Sequence, residues 1–220
     1  HMLERKAYGK LLEWKRNRQG ATALLVEGAR RVGKTTLVRE FARNEYRSSI
    51  FIDFFTAPNA VKSYFEDYRD DVSSLLFYLS SYYDVDLHER ESLIVFDEVQ
   101  CFPLARGLVK YLVADGRYDY VETGSLLSIR RNVESIVIPS EEERVALDPL
   151  DFEEFLWAMG EELLADAIRD SFERRSPLPE DLHRKSERLF REYMLVGGMP
   201  QAVSGYVESR DMAAVDRRKR

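Results

Sequence analysis

The chain has 220 residues, and its 33 lysines and arginines against 39 aspartates and glutamates give a formal net charge of −6 at pH 7. Hydrophobic residues make up 45% of the sequence, which is typical of a globular chain and excludes wholesale disorder. One cysteine excludes an internal disulfide framework and a cysteine-rich zinc site, and since there is neither a long apolar run nor a leader, we expect a cytoplasmic protein without a membrane span.

The first two thirds of the chain alternate between apolar runs and segments with helical spacing. A short helix is predicted over residues 3–14. Strands are predicted at residues 21–26, 50–54, 93–96, 120–121 and 145–147, and helices at residues 35–43, 61–83 and 104–114. Because uninterrupted apolar runs are typical of strands buried on both faces, this alternation predicts an α/β fold with a parallel sheet.

The pattern changes after Pro149, where we find no further strand-like run. Helices are predicted at residues 152–169 and 182–195, and the two prolines at positions 177 and 179 separate them. The sequence therefore predicts a core domain over residues 1–149 and a small all-helical domain over residues 150–220.

Two surface features leave alternatives open. Residues 141–173 carry 12 acidic and two basic side chains, a net charge of −10, which is typical of a solvated helix face or of a surface that docks a basic partner. An aromatic stripe on the predicted helix 61–83 indicates either packing against the sheet or a binding surface. The stripe consists of Tyr64, Phe65, Tyr68, Phe77, Tyr78, Tyr82 and Tyr83.

The strongest motif lies between the first long apolar strand and the helix that follows it. Residues 28–35 match G-x-x-x-x-G-K-[ST] at every fixed position. Glycines permit a tight turn whose amides point at a phosphate, and the helix start adds a positive dipole end. The predicted nucleotide-binding residues are Gly28, Ala29, Arg30, Arg31, Val32, Gly33, Lys34, Thr35 and Thr36. Lys34 is predicted to reach the β- and γ-phosphates, and the Thr35 hydroxyl to bind Mg²⁺.

Two further strand ends complete the candidate site. Asp97 and Glu98 follow an apolar strand, a position in which an aspartate binds Mg²⁺ and the adjacent glutamate orients or deprotonates the attacking water. Thr123 and Ser125 follow the next strand, and a hydroxyl there is expected to sense the γ-phosphate. The predicted catalytic residues are thus Glu98, Lys34, Thr123 and Ser125, and the predicted metal ligands are Thr35 and Asp97.

Together, five segments of the chain resemble the prokaryotic AAA-type P-loop ATPases, which are similar to the STAND-like and archaeal ATPases. These segments are GARRVGKTTLV (28–38), LIVFDEVQ (93–100), DGRYDYVETGSLL (115–127), PLDFEEF (149–155) and YMLVGGMPQAV (193–203). The resemblance implies a three-layer αβα core followed by a small helical lid, with ATP or ADP and Mg²⁺ as cofactors. In this family the lid usually precedes a winged helix and a C-terminal domain of unknown function, so the chain is expected to be truncated.

The resemblance also implies how the base is bound. Gly198-Met199-Pro200 is similar to the G-x-P motif with which STAND-type ATPases place a proline on adenine, and the segment around Arg5 and Tyr8 resembles the helix that covers the other side of the base. An arginine that often follows the sensor hydroxyls in STAND ATPases is replaced here by Gly124-Ser125. The later Arg130 and Arg131 are candidate arginine fingers, in cis or in a neighbouring subunit, or form surface charges.

Taken together, these features predict an ATP-binding module that hydrolyses ATP with Mg²⁺ and acts as a conformational switch or motor. One alternative is an ADP-locked interaction module with little turnover. Another is a DNA-associated ATPase whose DNA contacts lie beyond residue 220. The expected partners are ATP and a protein or nucleic acid contacted through regions beyond residue 220, with a homo-oligomer as a further option. No contact with a membrane is expected.

Overall fold

The computed structural model describes residues 2–125 and 142–219, with side chains described up to residue 211. Two compact units are present: an α/β unit, Ala7–Leu147, and a helical unit, which combines His1–Lys6 with Asp148–Arg220. The assignment of residues 1–149 as an ATPase core and 150–220 as a lid stays a prediction. None of the described helices is both long and apolar enough to cross a membrane.

The α/β unit is built on a fully parallel sheet. Its strands are β1 (Ala23–Glu27), β2 (Ser48–Asp53), β3 (Ser92–Asp97), β4 (Asp119–Gly124) and β5 (Glu142–Ala146). Their order in the sheet is β2-β3-β4-β1-β5, so β1, which leads into the phosphate-loop motif, lies between β4 and β5.

Within the described part of the α/β unit, five α-helices cover the two faces of this sheet. They are α1 (Lys6–Arg18), α2 (Lys34–Glu45), α3 (Asn59–Asp67), α4 (Val72–Tyr83) and α5 (Pro103–Asp115). Alternate residues of β1 belong to different cores: Leu24 packs with α1 and α2, whereas Leu25 packs with α3, α4 and α5. Strands buried on both faces explain the uninterrupted apolar runs in the sequence, and the predicted three-layer αβα fold is confirmed.

The single helix predicted over residues 61–83 is wrong, because two helices occupy this range. The chain turns between Asp67 and Val72, and the Asp71 carboxylate caps α4 by accepting a hydrogen bond from the Ser74 amide at 3.1 Å. Apolar spacing continues across the turn because both helices pack on the same core cluster. The aromatic side chains therefore do not form one stripe: Phe65 is fully buried, whereas Phe77 is 67% exposed.

The helical unit contains α6 (Phe152–Ala158), α7 (Glu162–Arg174), α8 (Glu180–Val196) and α9 (Pro200–Lys219). The one helix predicted over residues 152–169 is therefore also wrong. Gly160, at φ 73°, breaks it, since glycine adopts this left-handed conformation at little cost. Several acids of the segment 141–173 are in ion pairs, such as Glu161 with Lys185 at 2.7 Å and Asp151 with Lys6 at 2.6 Å.

Candidate nucleotide-binding site

Residues 28–33 form the bend between strand β1 and helix α2, at the carboxyl edge of the sheet. Gly33 has φ 101° and Arg31 has φ 62°, so the loop passes twice through the left-handed region. Between them the buried Val32 packs into the core beneath the loop. Such a bend turns successive amides toward the same side, which is the arrangement that binds phosphate.

Position 28 must be glycine because the backbone at Leu147 passes very close to it. A Cβ atom at this position would lie 2.3 Å from the carbonyl oxygen of Leu147, which no side chain tolerates. The Gly28 amide also donates to the carbonyl oxygen of Gly124 at 3.3 Å. These contacts fix the start of the loop between the ends of β4 and β5.

The Lys34 side chain lies over the loop that precedes it. Its ammonium group donates to the carbonyl oxygens of Gly28 at 3.0 Å and Ala29 at 2.7 Å. Burial lowers the pKa of Lys34, while the carboxylates of Glu98 and Asp97 oppose this shift. The predicted phosphate-binding lysine therefore lies close enough to the two predicted acidic residues for their charges to act on its pKa.

Two hydroxyls meet on the carboxylate of Asp97. Thr35 donates to its Oδ1 at 3.0 Å and to its Oδ2 at 3.2 Å, and Thr123 donates to Oδ1 at 2.5 Å. Burial raises the pKa of Asp97, and the two hydroxyl bonds oppose the shift. Residues from three segments that are far apart in sequence therefore converge on one carboxylate.

Glu98 begins the turn that follows β3 and has φ 53°. Its amide donates to the Thr123 hydroxyl at 3.0 Å, and its carboxylate accepts a hydrogen bond from the side-chain amide of Gln100. The Thr123 hydroxyl is therefore bonded on both sides, between Asp97 and Glu98. Sequence reasoning did not single out Gln100, although it lies within the quoted LIVFDEVQ segment.

The remaining predicted residues differ in exposure. Ser125 is largely buried directly after β4, whereas Arg30, Arg31 and Thr36 are exposed. Arg130 and Arg131 lie outside the residues that the structure describes.

The residues predicted to contact the base belong to different parts of the molecule. Tyr8 donates to Glu45, the last residue of α2, at 2.8 Å. Because α2 has 12 residues and rises about 1.5 Å per residue, Tyr8 is bonded roughly 16 Å along the helix from the phosphate loop. Pro200 begins α9 and Arg5 precedes α1, both in the helical unit, and their contact with adenine stays a prediction.

The arrangement at the carboxyl edge of the sheet agrees with the comparison with protein families. A family model described as an AAA domain matches residues 21–156. The chain belongs to the AAA-domain family. This confirms the predicted AAA-type P-loop family and identifies the chain as a nucleotide-binding module of the ATPase type.

Comparisons with individual proteins are less informative than the AAA-domain match. No curated protein matches this chain. Among solved structures, the Aeropyrum pernix ORC1 protein in complex with DNA aligns at 13% identity and a TM-score of 0.47, over 88% of this chain and 67% of that chain. Cdc6p from Pyrobaculum aerophilum aligns at 15% identity and a TM-score of 0.46, over 74% of this chain and 49% of that chain.

The AAA-domain residues fit a magnesium ion, the metal that this family uses with ATP. Mg²⁺ prefers oxygen ligands and is usually held by one or two protein groups together with phosphates and water. The Thr35 hydroxyl and the Asp97 carboxylate supply adjacent oxygens, 3.0 Å apart. Across the described ranges, no group of three or more histidine, cysteine, aspartate or glutamate side chains is arranged to hold a metal.

Proposed function

We propose that this AAA-domain protein binds ATP with Mg²⁺ in the loop 28–35 and hydrolyses it as a conformational switch. The convergence of Thr35, Asp97 and Thr123 carries the proposal. It supplies neighbouring oxygen ligands for a divalent cation beside the lysine of a phosphate-binding loop. Each of these side chains extends from the end of a strand or the start of a helix, so secondary structure fixes its position.

In the proposed reaction, the loop amides and Lys34 bind the phosphates. To reach them, the Lys34 ammonium group exchanges its bonds to the Gly28 and Ala29 carbonyl oxygens for bonds to phosphate oxygens. A lysine suits this exchange because its ammonium group is a point charge on a flexible stem. Thr35 and Asp97 hold Mg²⁺, which when bound neutralises charge that develops on the phosphates.

Glu98 acts as the base or positioning group for the attacking water. Its backbone amide donates to the Thr123 hydroxyl, which itself donates to Asp97, so one side chain connects the carboxylate proposed to bind the metal to the backbone of Glu98. We assign Thr123 this connecting role and Ser125 the neighbouring position toward the γ-phosphate. Pro200, the first residue of α9, stays the residue expected to contact adenine.

A second candidate function has one observation in its favour. The amide of Gln100 donates to one oxygen of the Glu98 carboxylate, so that this oxygen has one site fewer at which to bind the attacking water. In that alternative the protein retains ADP and turns over very slowly. ADP recovered from the purified protein, together with negligible turnover that Gln100→Ala accelerates, would favour this alternative.

Binding and turnover are separated by two substitutions. Lys34→Ala should weaken ATP binding by at least about 100-fold, whereas Glu98→Gln should bind ATP as the parent does and hydrolyse it about 100-fold more slowly. Calorimetric titration measures the binding, and phosphate release measures the turnover. Glu91→Gln is the matched control. Glu91 lies directly before Ser92, the first residue of β3, and thus at the other end of the strand from Asp97 and Glu98. Turnover by Glu98→Gln equal to that of the parent would refute the role of Glu98.

A further inference from the structure

The first residues of the chain pack with its last third. Residues 2–6, here called the strap, belong to the helical unit even though α1, which begins at Lys6, continues into the α/β unit. Leu3 in the strap packs in the cluster that contains Leu150, Phe155 and Val203. The strap is thus part of the core of the helical unit and not a loose end.

A single carboxylate fixes the strap. Glu154, on α6, is 6% exposed and accepts three hydrogen bonds from groups that can only donate. Its Oε2 accepts from Arg5 Nε at 3.0 Å and from the Lys6 amide at 2.9 Å, and its Oε1 accepts from the Asp151 amide at 3.1 Å. Arg5 itself is 8% exposed, so this ion pair is almost fully removed from water.

Arg5 also bonds the segment that leads into α6. Its Nη2 donates to the carbonyl oxygen of Asp148, while its Nε serves Glu154. This segment, residues 148–151, is here called the linker, and it follows Leu147, the last residue of the α/β unit. The planar guanidinium therefore connects the strap to the linker and to α6 at the same time, a fork that lysine cannot reproduce.

The same linker holds the Gly198-Met199-Pro200 turn. The Leu150 amide donates to the carbonyl oxygen of Gly198 at 2.7 Å, and the Tyr193 hydroxyl donates to the carbonyl oxygen of Leu150 at 2.8 Å. A Cβ on Gly198 would lie 2.3 Å from that Leu150 oxygen, so the two backbones are in direct contact. Only one residue, Met199, separates Gly198 from Pro200.

We propose that Arg5 is a positioning residue for recognition of the base. With Glu154 it fixes the linker, the linker fixes the backbone of Gly198, and this in turn fixes Pro200 at the start of α9. The inference rests on the proposed function, in which Pro200 contacts the base. It adds that base recognition and phosphate recognition depend on different parts of the chain, because Arg5 bonds Glu154 and Asp148 whereas Lys34 bonds the carbonyl oxygens of its own loop.

Comparison of two ligands tests this separation. The affinity for ATP and for inorganic tripolyphosphate, which has no base, is measured by titration with the parent, Arg5→Gln and Arg5→Lys. Arg5→Gln should bind ATP about tenfold more weakly and tripolyphosphate within about twofold of the parent. Arg5→Lys, which keeps the charge near Glu154, should show a smaller loss of the same kind and decides the question if Arg5→Gln does not fold.

A matched control comes from the same unit. Lys185→Gln removes the cation of the half-exposed pair with Glu161, 2.7 Å apart, and should leave both affinities unchanged. Hydrogen exchange of the Leu150 amide in the nucleotide-free protein gives a second readout, since Arg5→Gln should speed this exchange and Lys185→Gln should not.

Each result decides between defined outcomes. Equal weakening of ATP and tripolyphosphate would mean general damage and would overturn the positioning role. ATP affinity unchanged in both Arg5 variants would overturn the inference and leave the proposed function intact. A parent protein that binds neither ligand, with or without Mg²⁺, would overturn the proposed function itself.

Discussion

Two buried carboxylates in different units of this protein are bonded in different ways. Asp97, at the end of β3, accepts from the hydroxyls of Thr35 and Thr123. Glu154, on α6, accepts from the Arg5 guanidinium and from two backbone amides. Both residues are less than 7% exposed, so burial does not distinguish them.

The kind of donor distinguishes them. A hydroxyl rotates and serves as donor or acceptor, so it can give up its bond to a carboxylate when a metal binds. Guanidinium and amide groups only donate, and removing their acceptor leaves them unsatisfied in a dry environment. The bonding of Asp97 therefore suits exchange of ligands, and the bonding of Glu154 suits a permanent connection.

The largest effect on stability is expected when the carboxylate of Glu154 is replaced. Glu154→Gln removes the negative charge and turns an amide group toward donors, which leaves Arg5 as an uncompensated buried charge. The free energy of unfolding should fall by about 3–5 kcal/mol, the usual cost of breaking a buried pair on one side. Urea denaturation followed by circular dichroism measures it.

The matched control for that loss is Glu161→Gln, which makes the same chemical change in the partly exposed pair with Lys185. It should cost less than about 1 kcal/mol. If both variants lose the same stability, the donor set around Glu154 is not what makes it a permanent connection.

A third buried carboxylate extends the comparison, because it is expected to make the stability of the protein depend on pH. Glu122, on β4, is fully buried, and burial raises its pKa well above its ordinary value of 4.5. The nearby Glu142 carboxylate adds to the shift, and Arg106 and Arg144 oppose it. Above pH 4.5 the unfolded chain releases this proton and the folded chain retains it, so the folded state loses stability as pH rises.

Glu122→Gln should remove this pH dependence. Relative to the parent, the free energy of unfolding of the variant should increase by up to about 1.4 kcal/mol for each pH unit above 4.5, until the folded state also ionises. Chemical denaturation at a series of pH values measures the difference. A constant difference between variant and parent from pH 5 to pH 8 would show that Glu122 has the same pKa in both states.

The smallest effect on stability is expected at Asp97. Because burial disfavours its charge, Asp97→Asn should leave the nucleotide-free protein as stable as the parent, or raise its free energy of unfolding by about 1 kcal/mol. Thr35 and Thr123 can reorient their hydroxyls to suit the amide. Thermal unfolding without nucleotide measures the stability, and Mg²⁺-dependent hydrolysis should be lost. A destabilisation as large as that of Glu154→Gln would erase the distinction between the two carboxylates.

Much of the α/β unit follows from local patterns. Apolar runs locate the central strands β1, β3 and β4, which the parallel sheet buries on both faces, and the glycine-lysine-threonine motif locates the phosphate loop. The edge strand β5 is only partly buried, and the predicted run at residues 145–147 covers only its end. Helix breaks were less predictable. The turns at Asp71 and Gly160 interrupt segments whose apolar spacing continues, since both flanking helices pack on shared core residues.

Glu154 shows what a local pattern can still reveal. Asp151 and Glu154 have the spacing of a capping box, and the structure contains both of its hydrogen bonds. That spacing indicates a helix start, but it contains no information about Arg5, which lies 149 positions away in sequence.

The sequence by itself determined the family, the parallel α/β fold and the residue types at the candidate site, because these depend on short motifs and on the alternation of burial along single elements. Only the tertiary structure decided which donors meet on Asp97 and on Glu154, and which charged groups surround Glu122. Those contacts join segments that are far apart along the chain, and their geometry depends on how strands and helices pack, which no local spacing encodes.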